Sequence, residues 1–169
     1  PLLQTDKFNG FIIGFNSCRP KSRGVVTLKS NNVNDDPIIN PQYLSHEDDI
    51  YDLECAYDFV RKLSNTKSIK EIVTKPVNID PLKFGNKEMT EHFRNNASSV
   101  YHPCGTCRIG SSEKIGVVSN RLKIYSMENL WIVDASVLPN VTSGNINAPV
   151  MMTAYNGSNI IAEDINKLR

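Results

Sequence analysis

The stretch Tyr101-His102-Pro103-Cys104-Gly105-Thr106-Cys107-Arg108-Ile109-Gly110 decides how the rest of this sequence is interpreted. It contains one of the three histidines and two of the four cysteines. Before it lie a strand-rich segment and charged helices; after it come a short apolar strand, a polar loop and an apolar C-terminal helix. Three interpretations are open at this point: a zinc or dithiol site built on the cysteines, a catalytic histidine, or a tight structural turn.

The composition excludes several classes of protein. With 169 residues the chain could form one domain or parts of two. It is 40% hydrophobic and 22% charged, which is typical of globular proteins. A formal net charge of +1 leaves no basic excess for nucleic acid or an anionic membrane. No apolar run approaches the roughly 20 residues that cross a bilayer.

The N-terminal residues Pro1–Gln4 have neither an initiator methionine nor a signal-peptide layout. We therefore expect that residue 1 is not the start of the gene product. Four cysteines are too few for a disulfide scaffold, and they do not reveal the cellular compartment.

Two β-rich runs, 11–15 and 25–29, predict a pair of antiparallel strands in the N-terminal segment. The following segment, 31–41, is polar and turn-forming. Its two prolines predict that it contains no regular element.

Helical spacing of apolar residues predicts a helix that begins at an N-cap on Ser45 and ends near Leu63. A short helix is expected at 68–73 before Pro76, and an amphipathic helix at 87–98. The segment from 76 to 85 is predicted to be a loop.

In the C-terminal part, residues 117–118 and 122–125 are expected to pair around a turn at 119–120. The apolar run 130–133 is typical of a strand that is buried on both faces. A helix should begin near Pro149, which suits a first helical turn, and end near Lys167. Its apolar face is expected to be Met152, Tyr155, Ile160 or Ile161, and Ile165.

The cysteine pair Cys104 and Cys107 does not support a metal site. A zinc knuckle requires a second pair of ligands at similar spacing, and neither the other cysteines nor the other histidines form one. A redox dithiol should open a helix, and no helical run follows. We expect two small buried residues in a turn and no metal.

His102 is a candidate base. Pro103 fixes the backbone that follows it, and Gly105 permits close approach of another group. An imidazole is the natural group to take a proton from an alcohol. Oxidation of that alcohol also requires a hydride acceptor, which must be a cofactor.

The segment from Asp134 to Pro149 suits such a cofactor. A buried strand that ends in Asp-Ala, a loop of small residues and a helix start would present backbone N–H groups to an electron-rich ring edge. Taken alone, the segment is equally compatible with an ordinary strand–loop–helix connection.

Three motifs together resemble the C-terminal part of the glucose–methanol–choline (GMC) oxidoreductases, and choline dehydrogenase-like members in particular. They are 101–110, Asn129-Leu-Trp-Ile-Val-Asp-Ala-Ser-Val-Leu-Pro139 and Ser143-Gly-Asn-Ile-Asn-Ala-Pro149. Upstream, 20–30 and 37–44 resemble a substrate-domain strand of that family and the loop after it. The resemblance covers nearly the whole chain in order.

The resemblance implies FAD as cofactor and a small-molecule alcohol as substrate. It implies that His102 is the base and that Asn145 occupies the second catalytic position, where an amide hydrogen-bonds the substrate oxygen. It implies that Cys104 and Cys107 are not catalytic. The flavin-side contacts that it implies are Tyr101, Asp134, Ala135, Ile146, Asn147 and Pro149.

The implied architecture combines two parts, in a mixed α+β and α/β fold class. Residues 1–105 would form most of a substrate-binding domain, an antiparallel sheet with flanking helices. Residues 106–169 would supply the C-terminal strand and helix of a Rossmann-like FAD-binding domain. No Gly-X-Gly-X-X-Gly motif is present, so we expect a missing N-terminal FAD-binding portion as partner. Alone, the chain should not hold FAD tightly and should be inactive.

The chain departs from the family pattern at Ile109, where methionine is usual, and at Tyr155-Asn156, where Glu-Lys is usual. The expected reaction is proton abstraction by His102 with hydride transfer to flavin N5. The alternatives are an FAD-containing hydroxynitrile lyase and a non-catalytic binding module of the same fold.

Overall fold

The computed structural model describes residues 9–77 and 79–167. The segment Pro1–Gln4, on which the expectation about the start of the chain depends, lies outside the described residues. The chain divides into two compact units. Residues 9–17 and 50–96 form one, here called the helical unit; residues 18–49 and 97–167 form the other, the motif unit.

The predicted helices are confirmed to within a few residues. They are α1 (Glu47–Ser64), α2 (Lys67–Ile72) and α3 (Asn86–Asn96). The predicted cap is wrong: the residue before α1 is His46, whose Nδ1 accepts a hydrogen bond from the Asp48 N–H at 3.2 Å. Ser45 instead donates its own N–H to the Ser22 hydroxyl at 3.0 Å.

The buried apolar side chains described in the helical unit lie on two helices. Leu53 and Tyr57 of α1 are buried, as is Met89 of α3. The Tyr57 hydroxyl lies 2.9 Å from the Pro81 carbonyl oxygen and 2.7 Å from that of Phe84, so the buried ring is also tied to the loop before α3.

The small sheet in the motif unit differs from the predicted one. Strand β1 (Val25–Thr27) pairs antiparallel with β2 (Ile38–Asn40), in the register Val26 opposite Ile39. Segment 11–15 is not a strand. The two prolines of 31–41 flank β2 instead of interrupting it, because a three-residue strand has few N–H groups to lose.

The predicted pairing around Ser119 is confirmed as a short hairpin with single bridges. Val118 bridges Ile124, and the Ser119 N–H donates to the Lys123 carbonyl at 2.9 Å. Trp131 bridges Lys123 on the next segment. The predicted strand at 130–133 is wrong, since this run forms only the single bridge at Trp131. Its expected burial on both faces is wrong as well: Leu130 is exposed and the other three residues are half-buried.

The core of the motif unit is a cluster centred on three buried residues, Val118, Leu122 and Val137. Helix α4 (Asn147–Lys167) packs on this cluster through Gly157. A Cβ at that position would lie 2.5 Å from Val133 Cγ1 and 2.9 Å from Leu122 Cδ1. The predicted apolar face is therefore wrong, because the contact uses the smallest residue of α4.

Three members of the predicted face, Met152, Tyr155 and Ile165, are exposed. An ion pair adds a second anchor for α4: Arg121 Nε lies 2.9 Å from Asp164 Oδ1. The fold is thus a mixed α and β structure with a small antiparallel sheet. No helix within 9–77 and 79–167 is long and apolar enough to span a membrane.

Candidate functional site

The structure brings the motif around His102 alongside the motif that begins at Asp134. The Cys107 N–H donates to the Ser136 carbonyl at 3.0 Å, and the Ile109 N–H donates to that of Val137 at 2.9 Å. Two segments that are distant in the sequence are thereby fixed to each other by their backbones.

Gly105 permits this close approach. Its φ is +89°, in the left-handed region that favours glycine, and a Cβ there would lie 3.3 Å from the Leu138 carbonyl oxygen. The predicted reason for a glycine next to the histidine is therefore supported by both its backbone angle and its neighbour.

The His102 ring is half-buried and held by its own backbone. Its Nδ1 lies 3.0 Å from the Tyr101 carbonyl oxygen, so the tautomer that satisfies this contact carries its proton on Nδ1. Nε2 then has a free lone pair and can accept a proton. The Tyr101 backbone has a left-handed φ of 61°, and its side chain is 81% exposed beside the imidazole.

The Asp134 carboxylate binds a residue close to it in the sequence. It accepts hydrogen bonds from the N–H and the hydroxyl of Ser136 and caps the 3₁₀ turn Ala135–Val137. The carboxylate therefore shapes the turn that presents Ala135, which is half-buried.

Asn145 lies at the start of α4 and is exposed. Its Oδ1 accepts the Asn147 N–H at 3.0 Å, which satisfies one of the N–H groups that a helix leaves free at its N-terminus. Within the described residues, no acceptor is found for Asn145 Nδ2 or for the N–H groups of Ile146 and Ala148. This helix end therefore offers several donors close together, with the positive end of a 21-residue helix dipole behind them.

Ile146 is buried and Pro149 is half-buried, so both hold the helix start in place. Pro149 lies in the first turn, as predicted. No hydrogen bond joins His102 to Asn145 in the part of the chain that the structure describes. The segment 101–110, which contains His102, is hydrogen-bonded to the turn after Asp134, and the chain continues from that turn to Asn145.

The cysteines are free thiols, and Cys104 and Cys107 are half-buried. Burial raises the pKa of the Cys104 thiol, although the nearby Arg23 guanidinium lowers it in part. The thiol therefore stays protonated near neutrality. Among the described residues, no group of three or more histidine, cysteine or acidic side chains is placed to hold a metal ion.

Sequence reasoning missed Asp49. In the sequence it is an acidic residue near the start of a predicted helix, but in the structure it is 4% exposed and its carboxylate binds the loop at Lys21 and Ser22. Burial raises the pKa of Asp49, and the hydrogen bonds from Lys21 and Ser22 together more than offset this, so the pKa lies below its usual value. An acidic residue four positions after Ser45 is an ordinary helix signal, so its burial was not visible in the pattern.

The sequence model of the GMC oxidoreductase family matches residues 20–154. The chain therefore belongs to the glucose–methanol–choline oxidoreductase family, as the three motifs predicted.

Named relatives agree with this. The chain is 34% identical to the alcohol dehydrogenase [acceptor] of Pseudomonas putida over 157 residues, which are 93% of this chain and 28% of that protein. It is 37% identical over 144 residues to the mitochondrial choline dehydrogenase of Mus musculus, covering 85% of this chain and 24% of that protein. The chain thus spans about a quarter of the length of these relatives.

Solved structures share the fold. Pyridoxine 4-oxidase from Mesorbium loti superposes with a TM-score of 0.71 at 28% identity, over 84% of this chain and 28% of the oxidase. A formate oxidase variant of Aspergillus oryzae, studied for its FAD modification, gives a TM-score of 0.77 at 25% identity, over 87% of this chain and 26% of that protein.

Proposed function

We propose that this chain supplies the C-terminal part of an FAD-dependent oxidoreductase that oxidises an alcohol. The observation that carries the proposal is the placement of His102: its Nδ1 is engaged by the Tyr101 carbonyl, and its motif is bonded to the turn after Asp134. A histidine whose Nδ1 contacts a backbone carbonyl lies in the unit that also contains a helix N-terminus with N–H groups that have no acceptor among the described residues. Membership of the GMC family and the FAD of the formate oxidase support the cofactor.

The residues present fit FAD. The flavin ring has an electron-rich pyrimidine edge, and the start of α4 offers the donors to meet it: the N–H groups of Ile146 and Ala148, with Asn147 between them. Tyr101, Asp134, Ala135 and Pro149 complete the set that would hold the cofactor: an exposed aromatic ring, a shaped turn and a fixed helix start. When bound, FAD supplies the hydride acceptor, N5, that side chains cannot provide.

His102 acts as the general base in this proposal. With Nδ1–H directed at the Tyr101 carbonyl, Nε2 takes the proton of the substrate hydroxyl. Asn145 orients the substrate: its Oδ1 is committed to the Asn147 N–H, and its Nδ2 donates to the substrate oxygen. An amide does this without competing for the proton.

We also propose which part of the chain belongs to which domain. Residues 1–105 would contribute most of a substrate-binding domain, and residues 106–169 the C-terminal part of the FAD-binding domain. A separate N-terminal FAD-binding portion would complete the enzyme.

The test uses the flavin-loaded protein that contains this chain. Anaerobic mixing with alcohols should reduce the flavin, and in a His102→Ala variant the rate should fall by about 10²- to 10⁴-fold, as expected for loss of a general base. His92→Gln, which removes a different imidazole on α3, should leave the rate unchanged. Near wild-type reduction in His102→Ala would contradict the assignment. Cyanohydrin cleavage without flavin bleaching would indicate the lyase instead.

A further inference from the structure

A buried carboxylate fixes the segment before β1. Asp49 Oδ1 accepts the Lys21 N–H at 2.6 Å, and Oδ2 accepts the N–H of Ser22 at 2.8 Å and its hydroxyl. The same hydroxyl accepts the N–H of Ser45 at 3.0 Å. Several hydrogen bonds therefore fix the backbone at Lys21 and Ser22. The backbone of the neighbouring residue Arg23 is fixed with it.

Arg23 extends from this fixed backbone. Its Nη1 is folded over its own segment, 2.8 Å from the Pro20 carbonyl oxygen and 3.0 Å from that of Ser22. Its Nη2 is thereby directed outward and donates to Asn140 Oδ1. A guanidinium fork that is anchored on one side and bonded on the other acts as a rigid spacer.

Arg19 makes a parallel contact, from Nε to the Ser143 hydroxyl at 3.3 Å. The two arginines thus reach both ends of the loop 139–145, which leads into Asn145. Within the described residues, they provide the only hydrogen bonds that reach this loop from elsewhere in the chain. The remaining bonds, from Thr142 to the Gly144 carbonyl and from Asn147 to Asn145, are local.

We propose that Arg23, assisted by Arg19, is a positioning residue that sets the loop 139–145 and with it the Asn145 amide. This rests on the proposed function, in which Asn145 orients the substrate oxygen. Arg23 is not a catalytic residue, because it acts through Asn140. Asp49 sets the backbone from which Arg23 extends.

The contacts of Arg23 with Asn140 and of Arg19 with Ser143, here called the arginine clamp, matter because of the loop that they hold. The six loop residues before Asn145, 139–144, have no regular structure, and neither strand nor helix hydrogen bonds fix them. A displacement of about 1 Å in a group that orients the substrate costs about 100-fold in rate. Loss of the clamp should therefore lower the rate of the chemical step without unfolding the protein.

The first measurement follows the loop itself. Hydrogen–deuterium exchange should be faster at the amides of 141–148 in Arg23→Ala and in Asn140→Ala than in the wild type. Exchange in the hairpin around Ser119 should not change. Lys29→Ala removes the same charge from an exposed position in the same segment and is the matched control. Unchanged exchange at 141–148 would overturn the proposal, whatever the flavin chemistry.

The second measurement is kinetic and uses the flavin-loaded protein. Arg23→Ala should lower kcat for flavin reduction about 10- to 100-fold, with little change in Tm or FAD content. Arg23→Lys should restore only part of the rate, because an ammonium lacks the fork. The double variant with Asn140→Ala should be no worse than the worse single variant.

Additive effects of Arg23→Ala and Asn140→Ala, or a loss that follows Tm alone, would reject positioning in favour of a purely structural role. If Arg23→Ala does not fold, Asn140→Ala, an exposed loop residue, carries the test by itself. Failure of the proposed function is distinguishable, since it would appear as a lack of flavin reduction in the wild type or a lack of effect of His102→Ala.

Discussion

The helical unit and the motif unit achieve their packing in opposite ways. In the helical unit, regular helices bury a few large side chains, with Tyr57 completely inside. In the motif unit, residues 101–139 contain almost no regular secondary structure, yet many backbone groups between 107 and 138 are paired with other backbone groups. Gly110 and Gly116 lie so close that a Cβ on either would meet the backbone of the other. The helical unit should therefore be sensitive to side-chain atoms that are removed, and the motif unit to atoms that are added.

The largest expected effect is from Gly116→Ala. Its Cβ would lie 2.6 Å from the Arg108 carbonyl oxygen and 2.7 Å from the Gly110 Cα, and backbone atoms cannot rotate away. We expect a loss of about 3 kcal/mol of unfolding free energy, at the upper end of overpacking costs. Denaturant unfolding checks this. Gly144→Ala, where no atom lies within 4 Å of the new Cβ, should change stability by under about 0.5 kcal/mol. Equal stability of the two variants would contradict the expectation that the motif unit is sensitive to added atoms.

The second expected effect is from Asp49→Asn. One carboxylate oxygen becomes an NH₂ group that faces the donors of Lys21 or Ser22, so a buried polar contact becomes repulsive. We expect a loss of about 2 kcal/mol at neutral pH, measured by denaturant unfolding.

This effect should depend on pH in a defined direction. Since folding lowers the pKa of Asp49, its stabilisation is present above the unfolded value of about 3.9 and is lost as the pH falls through the lower folded value. The difference between Asp49→Asn and the wild type should therefore shrink below about pH 4. Asp48→Asn, one residue earlier and exposed, is the control. A difference that does not vary with pH would argue against an ionised Asp49.

The smallest expected effect is from Tyr57→Phe in the helical unit. The variant keeps the buried ring but removes the hydroxyl that satisfies the Pro81 and Phe84 carbonyl oxygens. Because Arg61 also donates to the Phe84 oxygen, at 3.1 Å, one acceptor keeps a partner. We expect a loss of about 1 to 2 kcal/mol in thermal or denaturant unfolding. Tyr51→Phe on the exposed side of α1 should cost much less, and similar losses for the two would contradict the assigned role.

The same contrast explains which parts of the fold were predictable. Apolar spacing located α1, α3 and the extent of α4, because a helix that packs through large side chains repeats them every turn. It misassigned the buried face of α4, because Gly157 makes the contact and a periodicity of large side chains cannot detect a glycine. It also missed β2, since a strand of three residues between two prolines carries too little pattern.

The candidate site was predictable to a different extent. The reason given for Gly105 is supported by its backbone angle and its close neighbour. The roles of His102, argued from its chemistry, and of Asn145, implied by the family resemblance, stay predictions. The roles of Asp49 and Arg23 were not predicted, because an acidic residue in a first turn and an arginine in a loop are ordinary at those positions. Their partners, Lys21, Ser22 and Asn140, are brought to them only by the fold.

Asn145 imposes a constraint on mutational scanning of this protein. Its oxygen accepts the N–H of Asn147, the first residue of α4, and its nitrogen is the group that we propose for the substrate, so one side chain affects both stability and activity. Aspartate and serine can cap a helix but lack the amide donor, whereas alanine supplies neither. Abundance scores at this position should therefore group aspartate and serine with the wild type, while activity scores should group them with alanine. Position 145 thus offers separation-of-function alleles by the choice of side chain alone.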